Sequence, residues 1–212
     1  MLRVGVIGCG WATRNLHAPG LRDSGAGVIA GVCDPNEGAM AWFRSAPKWT
    51  CWRRMLEELA CHAILIASPP EQHAEAAAAA LHAGRHVLLE KPVAPDLEGA
   101  LAIQQAAQQA GRVLAVGFNQ RCHPGFLALR RRIASGQFGQ LRSIRVRWSN
   151  GAGLSPRGWI GRRRCGGGAL MDLGAHVVDL WRFLTGGELE ALEADSVSSR
   201  IDDETATLRG RG

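Results

Sequence analysis

Tyrosine is absent from the 212 residues and lysine nearly so, with twenty-three Arg against two Lys, Lys48 and Lys91. The first absence excludes every mechanism that relies on a tyrosine general acid, the Tyr-x-x-x-Lys dehydrogenases among them. The second makes the placement of each lysine informative. No run is long and apolar enough to cross a bilayer. Cys9, Cys33, Cys51, Cys61, Cys122 and Cys165 show neither C-x-x-C nor zinc-type spacing. They read as buried thiols in a reducing compartment, with no metal site implied. Met1 leads straight into a strand-like run, without the basic region, apolar stretch and cleavage site of a secretory signal. The expectation is a cytoplasmic protein with no membrane partner.

What is present describes a globular chain with a sizeable core: 46% of the residues are apolar and 21% charged. The net charge of +6 comes from arginine, including Arg130-Arg131-Arg132 and Arg162-Arg163-Arg164. Three successive helical residues point in different directions, and no aromatic residues are interleaved as a stacking platform. Those runs read as solvated surface rather than as a nucleic-acid interface.

Strand-like runs at Leu2–Gly8, Val28–Cys33, Ala63–Ala67, His86–Glu90 and Val113–Gly117 alternate with helical patterns. Such alternation predicts an α/β fold, a parallel sheet covered on both faces. Ala74–Ala83 is a helix opened by Pro69-Pro70-Glu71 and closed by Gly84. Ser45–Thr50 stands where a further strand is expected, and its residues do not commit. Between the first strand and first helix lies Gly8-Cys9-Gly10-Trp11-Ala12-Thr13, a dinucleotide fingerprint at its first two glycines. The third position holds Thr13 in place of Gly or Ala, a departure expected to loosen the helix–strand contact. The second strand ends in Asp34, whose carboxylate can accept both ribose hydroxyls of NAD and would repel the 2′-phosphate of NADP. The expected cofactor is therefore NAD in preference to NADP. Lys91 closes another strand and is followed by Pro92, which cannot extend a sheet ladder. Its ammonium is thereby expected at the carboxyl edge, where open α/β sheets bind ligands.

These stretches together resemble the glucose-fructose oxidoreductase, inositol dehydrogenase and rhizopine-catabolism family, known as Gfo/Idh/MocA. They stand here as V-G-V-I-G-C-G-W from Val4, V-C-D-P-N from Val32, A-S-P-P-E-Q-H from Ala67 and A-G-R-H-V-L-L-E-K-P-V from Ala83. V-G-F-N-Q-R from Val116 and G-G-G-A-L-M-D-L-G-A-H-V-V-D-L from Gly166 follow in the family's order. The resemblance implies a Rossmann domain over residues 1–119 and an α+β domain with an open mixed or antiparallel sheet from residue 120. By resemblance, Ser68, Pro69, His73, Glu90 and Lys91 border the cofactor, with Lys91 also reaching the substrate. Asn119 and Arg121 would lie near the nicotinamide.

The last motif also carries its own physics. Gly166-Gly167-Gly168 reads as a flexible approach to a helix running to about Leu184 and ended by Gly186-Gly187. Asp172 and His176 are four apart and Asp179 is three further, which places all three on one helical face. His176, with an ordinary pKa of about 6.5, is the natural base for a hydroxyl proton. The competing reading is a helix histidine satisfied by its two Asp neighbours. Lys91 would stabilise an alkoxide, and Asp172 would orient the substrate or hold the imidazole. The implied reaction is hydride transfer between a secondary alcohol and nicotinamide. Inositol dehydrogenases of the family use a Lys, Asp and His at these motif positions, so the resemblance favours a polyol, cyclitol or sugar.

Beyond Gln120 the pattern reads as helix Pro124–Ser135, strand Leu141–Trp148, and strand-like Glu188–Ser198 and Thr205–Arg209. Family chains continue through several more strands, so the second domain, residues 120–212, is expected to be partial. Its sheet would have an exposed edge open to homo-oligomer contacts. The alternative function is a non-catalytic dinucleotide-binding or sensor protein.

Overall fold

The computed structural model describes residues 1–149 and 158–211. They form two compact units, Met1–Gly117 and Phe118–Gly212.

The first unit is a six-stranded parallel sheet: β1 (Leu2–Ile7), β2 (Gly27–Cys33), β3 (Lys48–Trp49), β4 (Ala63–Ile66), β5 (His86–Leu89) and β6 (Leu114–Val116). The strands lie in the order β3-β2-β1-β4-β5-β6. Helices α1 (Ala18–Ser24), α2 (Trp52–Glu58), α3 (His73–His82) and α4 (Leu97–Ala110) provide the crossovers. The central strands are near-continuous apolar runs because both faces are packed. One face sets Ile64, Ile66, Val87 and Leu89 against α2, α3 and α4. The other packs Val4, Val6, Val32 and Leu65 against Ala18, Met40 and Phe43. The alanine run of α3 works here as a packing surface. Ala76, Ala77 and Ala80 are fully buried, and their small side chains let the helix lie close to sheet and α4. The uncommitted stretch Ser45–Thr50 contains β3, which is only two residues long and pairs Lys48 and Trp49 with Val32 and Cys33.

The strand order reverses at β1, which has β2 on one side and β4 on the other. A crevice opens at the carboxyl ends of the two strands flanking such a reversal, and ligands of open α/β sheets bind there.

The second unit contains α5 (Pro124–Ala134), α6 (Ala175–Thr185) and an antiparallel hairpin of β7 (Ala191–Val197) and β8 (Thr205–Arg211). The expected strand Leu141–Trp148 is not one, since the segment takes part in no ladder among the described residues. Alternating apolar and polar residues specify a face, but a strand exists only where a neighbouring backbone supplies ladder partners. The Gly-rich approach to α6 also departs from expectation. Gly166, Gly167 and Gly168 are all buried, and a Cβ on Gly167 would lie 2.3 Å from the carbonyl oxygens of Trp159 and Ile160. Gly167 and Gly168 serve close packing, and Gly166 and Gly168 take positive φ, so the segment is a fixed turn and not a flexible one. Before α6 the chain makes a widened π-type turn, Leu170–Gly174, and a similar one, Thr13–His17, precedes α1. Such turns break the 3.6-residue spacing and occur frequently at functional sites. Asp172 sits inside Leu170–Gly174, so its α-helical alignment with His176 is altered.

No described helix is long and apolar enough to cross a membrane. The two units differ in core. Cys165, Leu180 and Leu184 are the buried apolar residues described in the second unit, and β7 is exposed along its length. Hydrogen exchange at low protein concentration should therefore show the amides of β1, β4 and β5 outlasting those of β7 and β8 by at least about tenfold. Equal protection would show that the second unit has found stability outside these contacts.

Candidate functional site

Within the first unit the carboxyl edge is built around Gly8. This residue has φ +92°, and a Cβ on it would lie 2.5 Å from the Ala67 carbonyl carbon and 2.6 Å from the Ser68 nitrogen. Only glycine lets the turn after β1 cross so near the end of β4. The Gly8 N–H donates to the Cys33 carbonyl at 2.9 Å. The Cys9 N–H donates to Asp34 Oδ2 at 2.8 Å, while Asp34 Oδ1 accepts from the Asn36 N–H at 2.9 Å. The carboxylate that closes β2 thus also holds the glycine loop. Gly10 differs from Gly8, because a Cβ there would meet no protein atom within 4 Å. A turn closed on its inner side and bare on its outer side is the form a pyrophosphate requires, so these residues fit a bound dinucleotide. Trp11 is exposed beside this loop and Ala12 half-buried.

Thr13 does not loosen the helix–strand contact. It is fully buried, and its hydroxyl donates to the Gly8 carbonyl at 2.6 Å, which fastens the first helical turn to the loop.

Ser68 and Pro69 are half-buried at the end of β4. His73 is fully buried behind them, with Nε2 2.9 Å from the Ser68 carbonyl oxygen and Nδ1 3.0 Å from that of Pro92. The ring bridges the segment after β4 to the one after β5. Burial pushes its pKa below the ordinary histidine value, against the opposing pull of the carbonyls and of Glu90. His73 consequently supports the edge from within.

Glu90 and Lys91 follow β5. Glu90 Oε1 is 2.6 Å from His17 Nε2, both side chains being largely buried, and Oε2 accepts from the Lys91 N–H at 3.1 Å. Burial alone would raise this carboxyl. The hydrogen bond and charge of His17, with the N–H and charge of Lys91, outweigh it and hold the group below its ordinary value. His17 was not found by sequence reasoning, since it belongs to no spacing motif and meets Glu90 across 73 residues. Lys91 is half-buried.

In the second unit, Asn119 and Arg121 share one short helical turn, Asn119–Cys122. Arg121 donates from Nε and Nη2 to both oxygens of Asp179, at 2.6 to 3.0 Å. Asp179 is almost fully buried and the arginine partly exposed. Arg121 is therefore committed to fixing α6. His176, also on α6, is buried. Its ring stacks on Trp148 with centroids 5.3 Å apart and meets the Phe118 ring edge-on at 6.2 Å. Two aromatic neighbours at right angles fix the plane of the imidazole. Asp172 is half-buried in the widened turn, while Asp179 belongs to Arg121. Among the described residues no three His, Cys, Asp or Glu side chains are grouped as metal ligands.

Two family models match. One, described as "Oxidoreductase family, NAD-binding Rossmann fold", covers residues 2–118, and the other, "GFO/IDH/MocA C-terminal domain", covers residues 126–208. Levoglucosan dehydrogenase of Pseudarthrobacter phenanthrenivorans is 35% identical over 148 residues, 68% of this chain and 37% of the relative. Inositol 2-dehydrogenase 2 of Saccharopolyspora erythraea is 32% identical over 200 residues, 89% of this chain and 55% of the relative. Among solved structures, the WlbA dehydrogenase from Bordetella pertussis, in complex with NADH and UDP-GlcNAcA, superposes with a TM-score of 0.88 at 28% identity. That match covers 99% of this chain and 67% of the WlbA chain. The chain thus spans about half the length of these curated relatives.

The two loop glycines separate folding from binding. Gly10→Leu should leave stability to urea within about 0.5 kcal/mol of the parent while weakening NAD binding by more than about tenfold. Gly8→Ala should destabilise the first unit outright. Unchanged NAD affinity in Gly10→Leu, measured by calorimetry, would contradict the placement of a pyrophosphate at this loop.

Proposed function

The chain belongs to the Gfo/Idh/MocA oxidoreductase family, and from that premise we propose that it transfers a hydride between NAD and a secondary alcohol of a polyol, cyclitol or sugar. The observation that carries this reading is the carboxyl edge of the first sheet. There a glycine loop tied to Asp34 and a lysine that closes β5 stand on the same edge. The names of the relatives, a levoglucosan dehydrogenase and an inositol dehydrogenase, support a carbohydrate alcohol as the substrate class.

In this reading bound NAD supplies the hydride acceptor, and the chain supplies position and charge. Gly8, Gly10, Trp11 and Ala12 receive the pyrophosphate, and Asp34 takes the ribose hydroxyls and disfavours a 2′-phosphate. Ser68, Pro69, Glu90 and Asn119 line the remainder of the cofactor's path. His73 and Arg121 act from behind, through the segments they hold. His176 takes the hydroxyl proton, its ring plane fixed by Trp148 and Phe118. The Lys91 ammonium stabilises the charge that develops on the oxygen. Asp172, in the widened turn, orients a neighbouring hydroxyl.

Steady-state reduction of NAD with a panel of inositols and sugars tests the proposal. Lys91→Ala should lower kcat by about two to three powers of ten with a smaller effect on NAD affinity. Asp34→Ala should narrow the preference for NAD over NADP. NAD binding without turnover of any polyol or sugar, and with His176→Ala silent, would instead support a non-catalytic dinucleotide-binding protein.

A further inference from the structure

Asp203 lies in the turn between β7 and β8 and, among the described residues, is the non-glycine residue with positive φ, +47°. It is also fully buried. Its carboxylate accepts from both Nε and Nη2 of Arg163, the former at 2.6 Å, and from the Ser196 hydroxyl at 2.5 Å. Its own N–H donates to Ser198 Oγ at 3.0 Å. Its carbonyl accepts at 2.7 Å from the N–H of Ala169, the residue from which the chain enters the widened turn carrying Asp172. Gly168, at φ +85°, is pressed so closely on this turn that a Cβ would lie 2.7 Å from the Asp202 carbonyl oxygen. The Arg163 N–H donates to Asp202 Oδ2 at 2.9 Å, and β8 places Leu208 3.2 Å from where a Cβ on Gly174 would stand.

A strained backbone and a buried carboxylate, concentrated on one residue, are costly. A buried ion pair is weak grounds for net stability, but it does fix geometry. Among its described residues the second unit has little apolar core to do so. We propose that Asp203 is a positioning residue, seating the Gly166–Ala169 approach so that the widened turn and α6 present Asp172 and His176 in register. The hairpin is thereby part of the machinery, acting through the helix and not on the substrate. Arg163 and Ser196 hold the Asp203 carboxyl below its ordinary value, so the charged form is the one that seats the approach. The inference rests on the proposed roles of His176 and Asp172, and one readout below is independent of them.

Asn tolerates the left-handed backbone conformation, so Asp203→Asn removes the charge and leaves the turn able to form. In the 212-residue chain two measurements are compared: the His176 ring signal by NMR, assigned with His176→Gln, and kcat against KM with NAD and a turned-over polyol or sugar. Asp195→Asn serves as a control, removing an exposed ion pair with Arg209 on the same hairpin. Asp203→Asn is expected to shift the His176 signal away from its Trp148-stacked position and to lower kcat by more than about tenfold, with KM for NAD nearly unchanged. Arg163→Lys, which keeps the charge but loses the two-pronged contact, is expected to fall between parent and Asp203→Asn. An unmoved His176 signal in Asp203→Asn would overturn the proposal, as would a moved signal with unchanged kcat, or an equal effect from Asp195→Asn. Absence of turnover in the parent would defeat the functional reading alone, and the His176 signal would still decide the seat.

Discussion

At Gly8 the chain leaves β1 with a backbone conformation open to few other residues and passes so close to Ala67 and Ser68 that no side chain fits between them. The sheet's reversal at β1 creates the crevice, and this crossing sets its floor. The neighbouring contacts all hold the same turn. Cys33 receives the Gly8 N–H, Asp34 receives that of Cys9, and the Thr13 hydroxyl reaches back to the Gly8 carbonyl. Further along the edge, His73 ties Ser68 to Pro92, and Glu90 is fixed between His17 and the Lys91 N–H. A rigid edge suits a cofactor whose reactive carbon must be held at a fixed position.

The second unit achieves position by different means. Where apolar burial among the described residues is sparse, charge pairs with one buried partner take its place. Asp179 receives Arg121, and Asp203 receives Arg163. The candidate base sits on the helix so held, its ring against Trp148 and Phe118. The arginine runs that sequence reasoning assigned to solvated surface remain exposed, but Arg163, from one of them, has a structural target that composition could not reveal, and Arg121, expected near the nicotinamide by resemblance, pairs with Asp179.

Local pattern made much of the fold legible. Strands β1, β2, β4, β5 and β6 fall within a residue or two of the expected runs, because strands buried on both faces leave an apolar signature. The glycine loop and Asp34 were legible because turn geometry and charge constrain residue type at fixed spacing. Features that depend on a distant partner were not. β3 is defined only by Val32 and Cys33, and Leu141–Trp148 alternates correctly but meets no ladder. Thr13 looked like a defect in the fingerprint, since its hydroxyl partner is a backbone oxygen that sequence does not display. The widened turn under Asp172 has no compositional mark, and the contacts of Asp203 with Arg163 and of Glu90 with His17 span 40 and 73 residues.

The proposed reaction, direct hydride transfer between a carbohydrate alcohol and NAD, is tested most directly at the transferred atom. The most direct measurement uses inositols and sugars deuterated at carbon, incubated with the protein and NAD, with the reduced cofactor analysed by mass spectrometry. Transfer, as deuteride, predicts one deuterium on the nicotinamide ring, abolished by His176→Ala and Lys91→Ala together. Unlabelled cofactor throughout the panel, from protein shown to bind NAD, would contradict it.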